Sequence, residues 1–92
     1  MENLVVQIVP VAQQDYKQWV EYWLAYQDFY QVALSNTVTQ TTWQRFFDDQ
    51  EPIYCAVAKQ AEHVLGFVHY VIHRSTWAET NFCYLEDVYV SP

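Results

Sequence analysis

The sequence predicts one small α/β domain, α+β in the stricter sense, with two helices and a mostly antiparallel sheet in the order β-α-α-β-β-β. Two observations lead to this prediction. Aromatic residues recur at helical spacing in two stripes between residues 13 and 32. After residue 52, three apolar and β-branched stretches follow one another with hairpin-like spacing. With 52% hydrophobic and 18% aromatic residues, a chain of 92 residues can still bury a core.

The boundaries of each element come from where these patterns stop. The first strand is β-rich and stops at Pro10, and the polar run 35–37 interrupts the helical pattern. The polar run 59–63 is the expected hairpin turn. Because the long helix carries two apolar stripes, we expect it either to bury more than one face or to line a pocket with one of them. The predicted elements are a strand over 4–9, helices over 13–32 and 39–49, and strands over 53–58, 64–74 and 82–90.

The charge balance limits the classes of partner. Eleven acidic and four basic residues give a net charge of −7, which argues against nucleic acid and anionic membranes as partners. An acidic surface favours a cationic partner such as an amine, although it also serves simple solubility. No stretch approaches the roughly 20 apolar residues of a membrane span, and the N-terminus lacks the features of a signal peptide. The sequence therefore predicts a cytoplasmic protein.

Neither the cysteines nor the histidines form a metal-binding pattern. Cys55 and Cys83 lie in apolar strand-like stretches and lack CxxC spacing, so we expect both to be reduced and buried. His69 and His73 would lie about 13 Å apart on a strand, too far to share a metal ion. The single glycine, Gly66, excludes a glycine-rich nucleotide-binding loop within this stretch. No metal site is predicted.

Three segments in this order resemble the GNAT acetyltransferase superfamily. Residues 22–30 (YWLAYQDFY) are similar to its first helix, residues 64–70 (VLGFVHY) to its third strand and residues 84–92 (YLEDVYVSP) to its fourth strand. The resemblance implies that residues 1–92 form a single partial GNAT domain. It also implies transfer of an acetyl group from acetyl-CoA to a primary amine, such as a polyamine or a lysine side chain. In the family, the loop that binds the cofactor's pyrophosphate would follow Pro92.

The resemblance also suggests site residues. Glu86 lies where several relatives have their general base, and an apolar strand should bury it partly and raise its pKa. The structural alternative is a carboxylate satisfied by neighbouring N–H groups, with Asp87 on the opposite face of the strand. The remaining candidates are cofactor-binding residues along the pantetheine arm and aromatic residues that shape the acceptor pocket or simply pack in the core. They are Leu85, Asp87, Val88 and Tyr89 for the cofactor, and Tyr26, Phe29 and Tyr30 for the acceptor.

Two alternatives to an enzyme follow from the same sequence. The chain could be a non-catalytic remnant or binding module that associates through its terminal strand, or a ligand-binding domain unrelated to acyl transfer. Residues 82–90 are long, aromatic and β-branched, which is typical of a strand edge that proteins normally cover. We therefore expect a homodimer, or a complex with a complementing second half.

Overall fold

The computed structural model describes residues 5–92 and confirms the predicted fold of two helices and a four-stranded antiparallel sheet. The sheet order follows the chain, β1-β2-β3-β4, and all three strand pairs are antiparallel. Within these residues, no helix is long and apolar enough to cross a membrane. The elements are β1 (Gln7–Pro10), a 3₁₀ turn (Gln13–Asp15), α1 (Tyr16–Phe29), α2 (Asn36–Arg45), β2 (Ile53–Gln60), β3 (His63–His73) and β4 (Phe82–Val90).

The first strand is shorter than predicted and includes its proline. It begins at Gln7, and residue 4 of the predicted strand lies outside the described residues. Pro10 is paired with Ala56 of β2. A proline fits there because β1 is an edge strand of the described sheet, where an N–H is not needed on the side without a partner.

The first helix is shorter than predicted at both ends, and backbone geometry explains where it stops. Gln31 has a left-handed φ of 57°. The N–H of Val32 donates to the carbonyl of Gln27 at 2.9 Å, and that of Gln31 donates to Asp28 at 3.0 Å. This pair of bonds is the Schellman motif, which satisfies the last carbonyls of a helix.

The second helix starts earlier than predicted. The hydroxyl of Ser35 accepts a hydrogen bond from the N–H of Val38 at 3.2 Å, so Ser35 is the N-cap of α2. Residues 35–37, interpreted from the sequence as a break, therefore open the helix. At its other end α2 stops at Arg45, short of the predicted residue 49.

The β2–β3 hairpin has a tighter turn than predicted. Gln60 pairs with His63, so Ala61 and Glu62 alone connect the two strands. Ala61 adopts a left-handed φ of 55°, a conformation usually given to glycine or asparagine. Because this turn is short, β2 extends two residues beyond the predicted strand.

Both helices cover the same side of the sheet, which we call the inner face. Trp19 of α1 is fully buried at its centre and its ring lies 4.9 Å from that of Trp43 of α2. The inner positions of the strands alternate with those of the opposite side, the outer face. The buried core consists of Val11, Trp19, Trp23, Trp43, Cys55, Val57, Val64 and Phe67.

Only one of the two cysteines is buried, although the sequence predicted burial of both. Cys55 is buried on the inner face, and this burial raises the pKa of its thiol. Cys83 of β4 is exposed, so the expectation that it is buried was wrong. The apolar context of Cys83 was misleading because an apolar strand is buried only where another layer covers it.

Candidate functional site

A bulge in β4 sets the geometry of the candidate site. Asp87 pairs with His69 and Leu85 pairs with Tyr70, so Glu86 is an extra residue on β4. A bulge of this kind interrupts the strict alternation of side chains. Glu86 and Asp87 consequently line the same cavity, whereas regular alternation would have put them on opposite faces.

Asp87 is held by a hydrogen-bonded chain that starts in the core. The indole Nε1–H of Trp19 donates to Nε2 of His69 at 3.0 Å, and Nδ1 of His69 lies 2.9 Å from Oδ2 of Asp87. An indole nitrogen only donates, so Nε2 of His69 is the acceptor and the imidazole proton lies on Nδ1. His69 therefore donates to the Asp87 carboxylate, and its buried ring has a single tautomer.

Tyr26 of α1 also belongs to this group. Burial, followed by the neighbouring Asp87 carboxylate, raises the pKa of Tyr26 to about 12. The phenol is therefore protonated at neutral pH. Asp87 thus lies between His69 of β3, which donates to it, and the phenol of α1.

The cavity beside these carboxylates lies between α2 and β4 and has a volume of about 370 Å³. From α2 it is lined by Val38, Thr42 and Arg45, which are spaced by four and three residues and so share one helix face. Glu86 is exposed at this cavity. The expectation that Glu86 is partly buried was wrong, because Glu86 is the extra residue of a bulge on an edge strand, where little covers it.

The carboxylates of Glu86 and Asp87 differ in how they are held. Within residues 5–92, no hydrogen bond or ion pair fixes the Glu86 carboxylate. Asp87 is half-buried and bonded to His69. One carboxylate is thus fixed in place and the other is free to change rotamer.

The three aromatic residues expected at the acceptor pocket line a second cavity of about 480 Å³ between α1 and β4. Tyr26 is half-buried, whereas Phe29 and Tyr30 are exposed. Val88, Tyr89 and Val90 form its β4 side. The core-packing alternative therefore does not describe Phe29 and Tyr30, whose exposed rings contact each other and, from Tyr30, the ring of Tyr26.

The residues expected along the cofactor lie on β4, an edge strand of the sheet. Leu85 and Val88 are exposed, and Tyr89 turns inward, where its ring stacks on Phe67 with 5.9 Å between centroids. The side chain of Asp87 is turned to His69, so only its main chain remains for a ligand along the edge. The edge of β4 that does not pair with β3 has no strand partner among residues 5–92.

Three residues of this site were not identified from the sequence. Trp19, His69 and Arg45 come from three different elements, and no local spacing connects them. A partial signal existed for His69, which occupies an inner position of β3, two residues after the buried Phe67. Among the described residues, no group of three or more His, Cys, Asp or Glu is arranged to hold a metal ion.

Comparison with known proteins identifies similar sequences and folds. A family model described as the acetyltransferase (GNAT) family matches residues 13–92. The chain is 29% identical over 93 residues to a D-amino-acid N-acetyltransferase from Saccharomyces cerevisiae, and this match covers 99% of the chain and 58% of the yeast protein. Its fold is similar to the crystal structure of a possible acetyltransferase from Clostridium difficile 630, with a TM-score of 0.78 and 17% identity. That match covers 95% of this chain and 58% of the bacterial one, so the chain spans little more than half of either relative.

Proposed function

Because the chain belongs to the GNAT acetyltransferase family, we propose that it is the acceptor-binding part of an enzyme that transfers an acetyl group from acetyl-CoA to a primary amine. The observation that carries this proposal is the pair of carboxylates, Glu86 and Asp87, brought to one cavity by the bulge in β4. The yeast relative is named for D-amino acids, which are also primary amines.

The two carboxylates have different roles in this proposal. An ammonium group must lose a proton before its nitrogen can attack a thioester carbonyl, and a carboxylate within hydrogen-bond reach can take that proton. Glu86 is the general base, since it is exposed to the cavity and no bond holds its carboxylate in place. Asp87, fixed by His69, attracts and orients the ammonium group.

Acetyl-CoA supplies the activated acetyl group, and the unpaired edge of β4 is suited to hold its pantetheine arm. Exposed strand edges bind extended ligands through main-chain hydrogen bonds. The bulge at Glu86 interrupts the ladder beside that edge, as bulges next to active sites often do. We propose the main chain of residues 85 and 87–89 for this contact, with Tyr26, Phe29 and Tyr30 shaping the adjoining cavity.

A chimaera tests the proposal because it provides a whole domain. In it, this chain replaces the matched part of the yeast D-amino-acid N-acetyltransferase. We expect acetyl transfer to primary amines, and Glu86→Gln should lower kcat by about 100-fold or more. The matched control Asp87→Asn should lower kcat less, because it keeps a polar group opposite His69.

Two outcomes would contradict parts of the proposal. A folded chimaera that binds acetyl-CoA by calorimetry yet acetylates no amine would contradict the enzymatic function. Equal kcat values for Glu86→Gln and the parent between pH 6 and 9 would exclude Glu86 as the base.

The alternative function, a non-catalytic module, is not distinguished from the enzyme by how the isolated chain binds acetyl-CoA. The isolated chain should bind acetyl-CoA poorly in either case, because its net charge of −7 repels the diphosphate. Micromolar binding of acetyl-CoA to residues 1–92 alone would contradict this expectation and favour an intact cofactor site.

A further inference from the structure

The cavity beside Glu86 and Asp87 also contains a positive charge, that of Arg45. We infer that Arg45 determines acceptor specificity by binding the carboxylate of an amino acid whose amino group lies at Glu86 and Asp87. The inference rests on the proposed function, since it assigns the class of amine that the same site accepts.

The position of Arg45 makes it available to a ligand. It shares one face of α2 with Val38 and Thr42, and this face lines the cavity. Its side chain is 47% exposed, and Nε lies 3.1 Å from Oε1 of Glu51. That contact uses one of the five N–H donors of a guanidinium group and fixes the direction of the side chain.

The basic residues of the chain are few, which makes this placement informative. The sequence has four Lys and Arg residues. Lys59 is committed to the buried carboxylate of Asp15 at 2.7 Å. Lys17 and Arg74 do not line this cavity. The positive charge of Arg45 would repel an ammonium ligand, so binding an amine in this cavity is unfavourable unless the ligand also carries a negative group.

Trp23 also lines the cavity, and its Nε1 has no hydrogen-bond partner among residues 5–92, but this atom is buried. Arg45, by contrast, is 47% exposed, so the binding of a carboxylate is assigned to Arg45 alone. A carboxylate only accepts hydrogen bonds, which suits the donors of a guanidinium group.

The same observations disfavour a polyamine. Each ammonium group of a polyamine only donates hydrogen bonds and carries a positive charge. One of them could bind at Glu86 and Asp87, but the next would meet Arg45. An amino acid, by contrast, presents an ammonium group and a carboxylate to opposite charges in one cavity.

The first test measures binding to the 92-residue chain by NMR titration. The probes are both enantiomers of phenylalanine and 2-phenylethylamine, which lacks the carboxylate. We expect phenylalanine to bind more tightly than 2-phenylethylamine. Arg45→Met should weaken phenylalanine binding by about 10- to 100-fold, as expected for loss of a charge-assisted hydrogen bond, and leave the amine unchanged.

Two control variants separate recognition from helix stability. Glu51→Gln breaks the same ion pair but keeps the guanidinium, so it should retain the preference for phenylalanine. Arg45→Lys keeps the charge and should retain part of it. Equal binding of the two probes to the parent chain, or equal loss of both in Arg45→Met, would overturn the inference.

Kinetics in the chimaera then distinguish the two proposals. We expect Arg45→Met to lower kcat/KM for phenylalanine by a similar factor and to change that for 2-phenylethylamine little. Efficient transfer to spermidine in preference to phenylalanine would overturn the role of Arg45 while supporting the acetyltransferase. Carboxylate-dependent binding without any acetyl transfer would support Arg45 and contradict the proposed reaction.

Discussion

The two faces of the sheet are built from similar residues and end in different environments. On the inner face, α1 and α2 bury side chains such as Val57 and Phe67. On the outer face, Ile8, Val88 and Val90 are between 57% and 73% exposed, although they are just as apolar. They border an apolar groove of about 320 Å³ that no described element covers. The difference shows that apolar composition identifies a face suited to burial, whereas a second layer is what buries it.

The largest expected difference between the faces is in stability. Trp19→Ala removes the centre of the inner core and should lower the free energy of unfolding by about 4 kcal/mol. Val88→Ala on the outer face should lower it by less than about 1 kcal/mol, since Val88 is already largely exposed. Urea denaturation measures both. Equal losses in a dilute, monomeric sample would contradict this difference between the faces.

At Gly66, the outer face has no space for a side chain. A Cβ atom there would lie 2.4 Å from the carbonyl oxygen of Tyr89, which belongs to the backbone of β4. Gly66→Ala should therefore push β4 from β3 and lower the free energy of unfolding by about 3 kcal/mol. The control is Ala58→Val, directly opposite on β2, whose added methyl groups meet the open groove. A stable Gly66→Ala variant with unchanged amide shifts in β4 would contradict this close approach.

Because the outer face is apolar and exposed, we expect copies of the chain to associate and cover it. We propose that copies of this chain associate through the outer face and the free edge of β4, which are both apolar and exposed. Light scattering at micromolar concentration should give a mass above 11.0 kDa, and Val90→Lys should weaken association by about tenfold, or 1.4 kcal/mol. A monodisperse 11.0 kDa particle that unfolds cooperatively would contradict the proposal.

The smallest effect concerns the polar group on the inner face and its pH dependence. The pKa of Tyr26 is raised from 10.0 to about 12, so this residue favours the folded state below pH 10. The contribution is lost as the pH rises from 10 to 12. Asp87→Asn removes the charge and should move the pKa back toward 10, which ¹³C NMR of the tyrosine ring can follow. An unchanged pKa in Asp87→Asn would mean that burial and the neighbouring Tyr30 and Glu86, and not Asp87, cause the shift.

Long patterns were predictable from the sequence, and local backbone exceptions were not. The limits of β4 agree with the prediction because an apolar strand of nine residues between polar segments has few alternatives. The left-handed residues Gln31 and Ala61 carry no glycine signal, so the end of α1 and the short turn could not be located. The bulge at Glu86 could not be predicted from the sequence either, because many residue types can occupy such a position.

The candidate site was predictable in part for the same reason. Glu86 could be named as a candidate because it lies within one recognisable segment. The chain from Trp19 to His69 joins residues 50 positions apart, and only the packing of α1 on β3 brings them together. Arg45 was missed because the carboxylates with which it shares a cavity lie on β4, and sequence spacing does not connect α2 with that strand.

The bond between Trp19 and His69 has a consequence for how mutations in this protein are interpreted. Trp19 never contacts the cavity that contains Glu86, yet its N–H decides which nitrogen of His69 carries the proton. Trp19→Phe would preserve most of the hydrophobic contact but remove the N–H that fixes the tautomer of His69. If the proposed reaction is correct, a mutational screen scored on activity would rank Trp19 beside Glu86 and Asp87, and a screen scored on protein abundance would not. A difference between the two screens at Trp19 would separate its contribution to core packing from its effect on the tautomer of His69.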